Sequence, residues 1–441
     1  MNRTRWMATA AAAAVAALAL AGCSGGSGSD SDSKSTSAPT LDPDKKVTIT
    51  FLEAMASGSL KTELEKITKE FEEDNPNITV ELQAQPDYNT LKTKIDAAVS
   101  AGNAPTIAQV YGEWAAAYAD AQVLEPLTAY AADNPSATDG LYKGIKNSLY
   151  IDKTLYMWPF NASAVAMFYN PEMLKAAGQD VPTTWSEFAK VAKAVSKDGV
   201  VALPMDPGSS SGPAGGTTVF ELIAEAYGTP VFADDGTPQL DSKAAVKALN
   251  YLVDLKKAGA LQTGTNYPGE TALGAEKGAF DISTTTSVYY DQEAVGDKFE
   301  MGIAPVPGAD DGTRINQING TNVAMFSGAT DDQKAAAWKY MQFLTEAETQ
   351  SEWAQATGYL PVNPATLKLD DMKDYIEKNP YVTFASEDLA DSSALPPYAW
   401  VQDGLGDLGA ALQSALAGNA TPEEALKSAQ EKAEKAMAAD Q

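Results

Sequence analysis

Residues 47–110 read VTITFLEAMASGSLKTELEKITKEFEEDNPNITVELQAQPDYNTLKTKIDAAVSAGNAPTIAQV and alternate two kinds of pattern. VTITFL (47–52) puts Val47, Ile49 and Phe51 on one face of a strand. Leu60, Leu64, Ile67 and Phe71 then recur at helical spacing behind Gly58-Ser59. Asp74-Asn75-Pro76 stops that helix, ITVEL (78–82) is a second strand, and a helix over about 89–101 leads to the strand TIAQV (106–110). Strand, helix, strand, helix, strand is the rhythm of a parallel α/β domain.

The rhythm restarts around Ala164–Tyr169, and Thr184-Trp185-Ser186-Glu187 forms a capping box for a further helix. Helices are predicted at 217–227, 242–258 and 331–354, and a last one at 422–438 opens on Thr421-Pro422-Glu423-Glu424, with proline at its first position. A chain of 441 residues is long enough for two or three domains. The expectation is α/β, with two lobes joined by crossing strands.

Composition narrows the chemistry. Hydrophobic residues make up 44% and charged residues 21%, the balance of a soluble globular protein. Lys and Arg total 32 against 59 Asp and Glu, a net charge of −27 that repels phosphate backbones, so no nucleic-acid partner is expected. Histidine is absent, which removes Ser-His-Asp and Cys-His nucleophile systems and His-ligated zinc. A single cysteine, Cys23, allows no internal disulfide and no thiolate cluster.

Arg3 and Arg5 precede an apolar run of 15 residues (8–22), shorter than the roughly 20 needed to span a bilayer. The run ends in Leu20-Ala21-Gly22-Cys23, which resembles a bacterial lipobox. Residues 1–22 are accordingly expected to be a lipoprotein signal peptide, with Cys23 acylated and residues 23–43 a flexible linker. Residues 24–40, SGGSGSDSDSKSTSAPT, carry no large apolar side chain, and such a chain spans roughly 25 Å. Removal of residues 1–22 leaves 30 basic and 59 acidic residues, a charge of −29, and one arginine, Arg314.

Several stretches, in order along the chain, resemble the extracellular solute-binding proteins of ABC importers that include maltose-, oligosaccharide- and glycerophosphodiester-binding proteins. They are residues 47–81, YNTLKTKIDAAVSAGNAPTIAQVY, PFNASAVAMFYNPEMLKAAG, PTTWSEF, EKGAFDIST, ATGYLPVN and TPEEAL. The resemblance implies a two-lobe periplasmic-binding-protein-like fold with a central cleft, an N-lobe of 44–158 with 305–358, and a C-lobe of 159–304 with 359–441. It implies no catalytic residue, no cofactor and no metal. It further implies a monomer on the outer face of the cytoplasmic membrane, held by lipid, that hands its ligand to permease subunits served by a separate ATPase.

A sugar presents hydroxyls at fixed spacing and apolar C–H faces, so its site needs carboxylate, amide or hydroxyl partners and flat rings. Tyr111, Glu113 and Trp114 follow the TIAQV strand, and the C-terminal end of a strand is where α/β sheets place binding groups. Compared with the glycerophosphodiester-binding relatives, the glutamate here comes one residue later, because Gly112 follows the tyrosine. By the same resemblance, Asp87 and Tyr88 occupy a contact loop, and Asn161 and Ser163 match a cleft segment. Thr285, Ser287, Tyr289 and Tyr290 match a loop of the C-lobe face, and Gly320 and Thr321 a turn near the ligand. Tyr359, Trp400 and Glu53 complete the candidates. Trp185, Trp338 and Trp353 are expected in the core, while Trp158 fits either role.

Gly404-Leu405-Gly406-Asp407-Leu408-Gly409 satisfies G-x-G-x-x-G but lacks the preceding strand that a dinucleotide site needs. Arg314 lies in an expected turn outside the cleft, and the segment near 400–407 has no arginine where the glycerophosphodiester-binding relatives have one. A neutral sugar or oligosaccharide is therefore the expected ligand, with a glycerophosphodiester as the alternative. A secreted glycoside hydrolase is the enzyme alternative, since many carboxylates allow a catalytic pair.

Overall fold

The computed structural model describes residues 38–132, 138–208 and 216–440. The signal segment, Cys23 and most of the linker expected from the sequence lie outside these residues. Twelve strands are present among those described: β1 Val47–Glu53, β2 Ile78–Ala84, β3 Ile107–Val110, β4 Tyr150–Ile151, β5 Thr154–Leu155, β6 Met157–Ser163, β7 Val165–Tyr169, β8 Leu203–Met205, β9 Leu261–Thr263, β10 Phe280–Thr284, β11 Gly302–Pro305 and β12 Asn319–Met325.

The first sheet has the order β2-β1-β3-β12-β6. β1 pairs in parallel with β2 and β3, as the opening sequence rhythm requires, and β12 runs antiparallel between β3 and β6. All four residues of β3 are buried, including the polar Gln109, whose side chain accepts from Ala54 N at 2.9 Å and donates to Thr321 Oγ1. Helix Gly58–Asp74 turns Leu64, Ile67 and Phe71 onto this sheet. There Phe71 meets Tyr340 edge-on, with centroids 5.0 Å apart.

A second sheet has β7 between β10 and β11, antiparallel to both. β8 and β9 pair in parallel beside it, and the Phe280 amide donates to Ala202 O at 2.9 Å to join the two groups. A separate hydrophobic core lies here, built from Trp185, Phe188, Phe220, Leu249, Phe280 and Leu412 among others. A third cluster, including Phe168, Val288, Met372 and Leu389, fills the space beside β7. The chain passes from the first sheet to the second through Ala164 alone, between β6 and β7, and returns through residues 306–318. A bridge between Ala162 and Leu360 makes a third connection.

The cap signals hold in detail. Glu187 N donates to Thr184 Oγ1 at 3.2 Å, and Glu424 N to Thr421 Oγ1 at 3.2 Å. The single helix expected over 331–354 is instead two, Asp331–Phe343 and Ala347–Thr357. The break falls at Thr345, whose hydroxyl donates to Gln342 O at 2.8 Å and accepts from Trp158 Nε1 at 3.1 Å. That bond also settles Trp158, which packs edge-on against Trp338 with centroids 4.7 Å apart in the first core. Residues 404–409 are interior to helix Ala399–Leu416, and Gly404 lets that helix approach Phe232. None of the helices described is long and apolar enough to cross a membrane.

Candidate functional site

A cavity of about 120 Å³ opens between the two sheets. Tyr111, Gly112, Glu113 and Trp114 form one wall, where β3 ends and helix Gly112–Asp120 begins. Asn161, Gly320, Thr321 and Asn322 form the floor. Thr217, Thr218 and Glu221 face them from helix Gly216–Ala226, and Gln402 and Leu405 from helix Ala399–Leu416.

The floor is shaped by a bulge. Thr321 pairs with Asn161 but Asn322 pairs with Pro159, so Phe160 is left without a partner on β12. β6 is the sheet's edge strand, where the missing amide of Pro159 breaks no further ladder. The bulge turns Asn161 so that its Oδ1 accepts from Thr321 N at 2.8 Å and from Thr321 Oγ1 at 3.1 Å. Its Nδ2 is buried with no hydrogen-bond partner among the described residues. Gln109 Nε2 donates to Thr321 Oγ1 at 2.6 Å and holds the floor from below. Gly320 adopts φ +128°, and a Cβ there would collide with the Asn161 carbonyl oxygen.

The two walls touch across the cavity. Trp114 Nε1 donates to Gln402 Oε1 at 3.1 Å, and a Cβ on Gly112 would stand 3.2 Å from Pro397 Cβ. Burial pushes the Glu113 carboxyl up to about 7. Burial likewise pushes Glu221 up to about 7, against the hydrogen bond it accepts from Gln317 Nε2 at 3.3 Å.

Of the residues expected from the sequence, the cavity brings together Tyr111, Glu113, Trp114, Asn161, Gly320 and Thr321. Gly320 and Thr321 lie in strand β12 rather than in a turn, because the bulge and the positive φ are absorbed within the strand. Tyr88 stands behind Tyr111, with ring centroids 5.1 Å apart, and its hydroxyl is 3.3 Å from that of Tyr359. Tyr359 itself stacks on Trp353 at 5.9 Å.

The remaining candidates are placed away from the cavity lining. Asp87 caps the helix Tyr88–Ser100, accepting from Thr90 N at 2.7 Å. Glu53 is buried at the end of β1, where it accepts from the Met55 amide and burial pushes its carboxyl up to about 7. Ser163 is buried at the end of β6, next to the crossing. Thr285 and Ser287 form a short turn, in which Ser287 Oγ lies 2.7 Å from Ser283 Oγ. Tyr289 is tied to Gln355 O and to Tyr375 Oη. Tyr290 is 43% exposed. Trp400 donates from Nε1 to Gly236 O at 2.8 Å and stacks on Tyr398 inside the second core.

Residues 66–380 match the family described as bacterial extracellular solute-binding protein. The chain belongs to this family. The solute-binding protein is 26% identical over 412 residues to the sn-glycerol-3-phosphate-binding periplasmic protein UgpB of Escherichia coli, covering 87% of this chain and 91% of that one. Among solved structures it resembles UgpB from Mycobacterium tuberculosis in complex with glycerophosphocholine, at a TM-score of 0.80 and 19% identity, covering 89% of this chain and 98% of that one. It also resembles the GacH receptor of Streptomyces glaucescens, solved unliganded and with acarbose, at a TM-score of 0.76 and 20% identity, covering 89% and 98%. The fold is thus the two-lobe fold of solute-binding proteins, and the protein is a binding protein rather than an enzyme.

Sequence reasoning missed the opposite wall of this solute-binding protein's cavity. Residues 217–224, TTVFELIA, are buried throughout, so Glu221 is a charge inside a helix covered on every side. That misfit is the signal that could have found it. Gln317 and Asn319 lie in or beside the return connection and carry no motif.

Proposed function

We propose that this protein captures a sugar or oligosaccharide free of phosphate and other anionic groups, closes its lobes over it, and hands it unchanged to the permease of an ABC importer. The supporting observation is the cavity lining: amide, hydroxyl and carboxylate side chains with two rings, and no Lys or Arg among the described residues. A phosphate needs charge-assisted donors, for which arginine forks are best suited. Arg314 is the one arginine among the described residues; it pairs with Asp388 and Glu387 and does not line this cavity. The name of the Escherichia coli relative favours a second reading, a polyol phosphate. In this reading the ligand would bring its charge to two buried glutamates.

Cys23 carries the lipid, and residues 24–40 tether a monomeric body beside its permease. The lobes divide at the crossings, Ala164 and residues 306–318, so that β6 falls whole in the N-lobe (44–163 with 319–358) and β11 in the C-lobe (165–305 with 359–441). The test is a thermal-shift panel of saccharides and glycerophosphodiesters followed by calorimetry, since a ligand that binds only the native state raises its melting temperature. Stabilisation by saccharides supports the proposal; stabilisation by the phosphorylated compounds alone overturns it. A Cys23→Ala variant should appear in the medium rather than in the membrane fraction.

A further inference from the structure

Glu113 and Glu221 reach the same cavity from opposite walls and are 8% and 7% exposed. Neither forms an ion pair among the described residues, and the internal segments outside them, 133–137 and 209–215, contain no Lys or Arg. Lys92, the cation that bears on Glu113, is paired with Asp96 at 2.9 Å, and the charge next to Glu221 is Glu225. Among the described residues Glu113 accepts no side-chain hydrogen bond, while Glu221 accepts that of Gln317 and faces the Thr217 hydroxyl. Two acidic groups therefore share a cavity that holds no countercharge among the described residues.

We propose that the ligand places a protonated amine between the carboxylates of Glu113 and Glu221, so that the solute is an amino sugar or an oligosaccharide containing one. This rests on the saccharide reading above and narrows it. Hydroxyls alone would satisfy lone pairs but would not draw off the protons that burial holds on the two carboxyls. An ammonium supplies three donors and the missing charge, and the rings of Tyr111 and Trp114 beside it favour a cation on their faces. Asn161, whose Nδ2 has no partner among the described residues, lies on the cavity floor beside this site, next to the hydroxyl of Thr321. The burial that holds both carboxyls near 7 would be relieved by such a ligand, and protons would leave as it binds.

The experiment is calorimetry of the whole protein with matched saccharides that differ at one carbon in amine, hydroxyl or acetamide: glucosamine, galactosamine and the glucosamine disaccharide with their neutral counterparts. Each is titrated at pH 7 in two buffers of different ionisation enthalpy. The expected result is about 10-fold or greater preference for the amine, with net proton release. Glu221→Gln and, independently, Glu113→Gln should each lower the preference for the amine over its neutral counterpart about 10-fold, whatever they cost in saccharide affinity common to both. Their melting temperatures check the fold. Equal or tighter binding of the neutral partners overturns the amine and leaves sugar capture standing. Binding by no saccharide, with stabilisation by a glycerophosphodiester, overturns both.

Discussion

Gly320 and Glu221 show how single positions set the cavity. At Gly320 the backbone enters a region that other residues rarely adopt, because β12 must pass close to the Asn161 carbonyl on the bulged strand. Gly320→Ala should therefore cost more than a turn substitution does, on the order of 2 kcal/mol or above from strain and collision. A urea midpoint unchanged from wild type would show that the floor relaxes freely. Glu221 makes a different prediction. Its folded pKa, about 7, is raised above the ordinary carboxylate value, so the folded state binds the proton more tightly than the unfolded chain. The resulting stability is complete below the unfolded pKa and is lost as pH rises through 7. Glu221→Gln should thus flatten the ligand-free stability profile between pH 5 and 8 by roughly 1–3 kcal/mol. Urea midpoints at the two pH values measure it.

At the scale of elements, strand β10 and helix Val288–Val295 meet through two acids. Asp291 is fully buried on the helix against Asp281 of β10, with no other side-chain donor among the described residues. Burial first, and then the Asp281 charge, push Asp291 well up, so the pair shares a proton. By the same sign argument, this contact stabilises the protein in acid and weakens it as pH rises. Asp291→Asn should raise the unfolding free energy at pH 8 by about 1–3 kcal/mol and leave it nearly unchanged near pH 4, as urea titrations at the two pH values measure. An equal effect at both pH values would remove the shared proton from the account. The elements themselves were largely legible, since β1, β2, β3 and the capped helices follow from period and cap chemistry. The break at Thr345 was not, because a bond from Trp158, 187 residues away, helps fix it. The cavity wall at Tyr111–Trp114 was legible as the end of a strand. Asp87 was not resolved from a helix cap, since a carboxylate before a helix reads alike in both roles. Glu221 escaped because a helix covered by later segments of the chain hides which of its faces meets the cavity.

For the whole molecule, ligand capture depends on how the two halves meet. Asn316, in the return connection, accepts from Val165 N and donates to Val165 O, both at 2.9 Å, and so clips that connection to the start of β7. The same Asn316 Nδ2 donates to Asp388 Oδ2 at 3.0 Å. In the lobe closure proposed above, the contact that would open and close is on the far side, where Trp114 Nε1 reaches Gln402. A single such hydrogen bond is worth about 0.5–1.5 kcal/mol, enough to change the closed fraction of a balanced equilibrium about 2- to 10-fold. Apparent affinity scales with the fraction that is competent to bind. Gln402→Ala should therefore weaken ligand binding by a similar factor, chiefly through faster dissociation. Because Gln402 also lines the cavity, affinity alone would not separate closure from direct contact. Small-angle scattering of the ligand-free chain does separate them: a shifted equilibrium enlarges the radius of gyration before any ligand is added. An unchanged radius with weakened binding would assign Gln402 to the ligand and leave closure to other contacts between the walls.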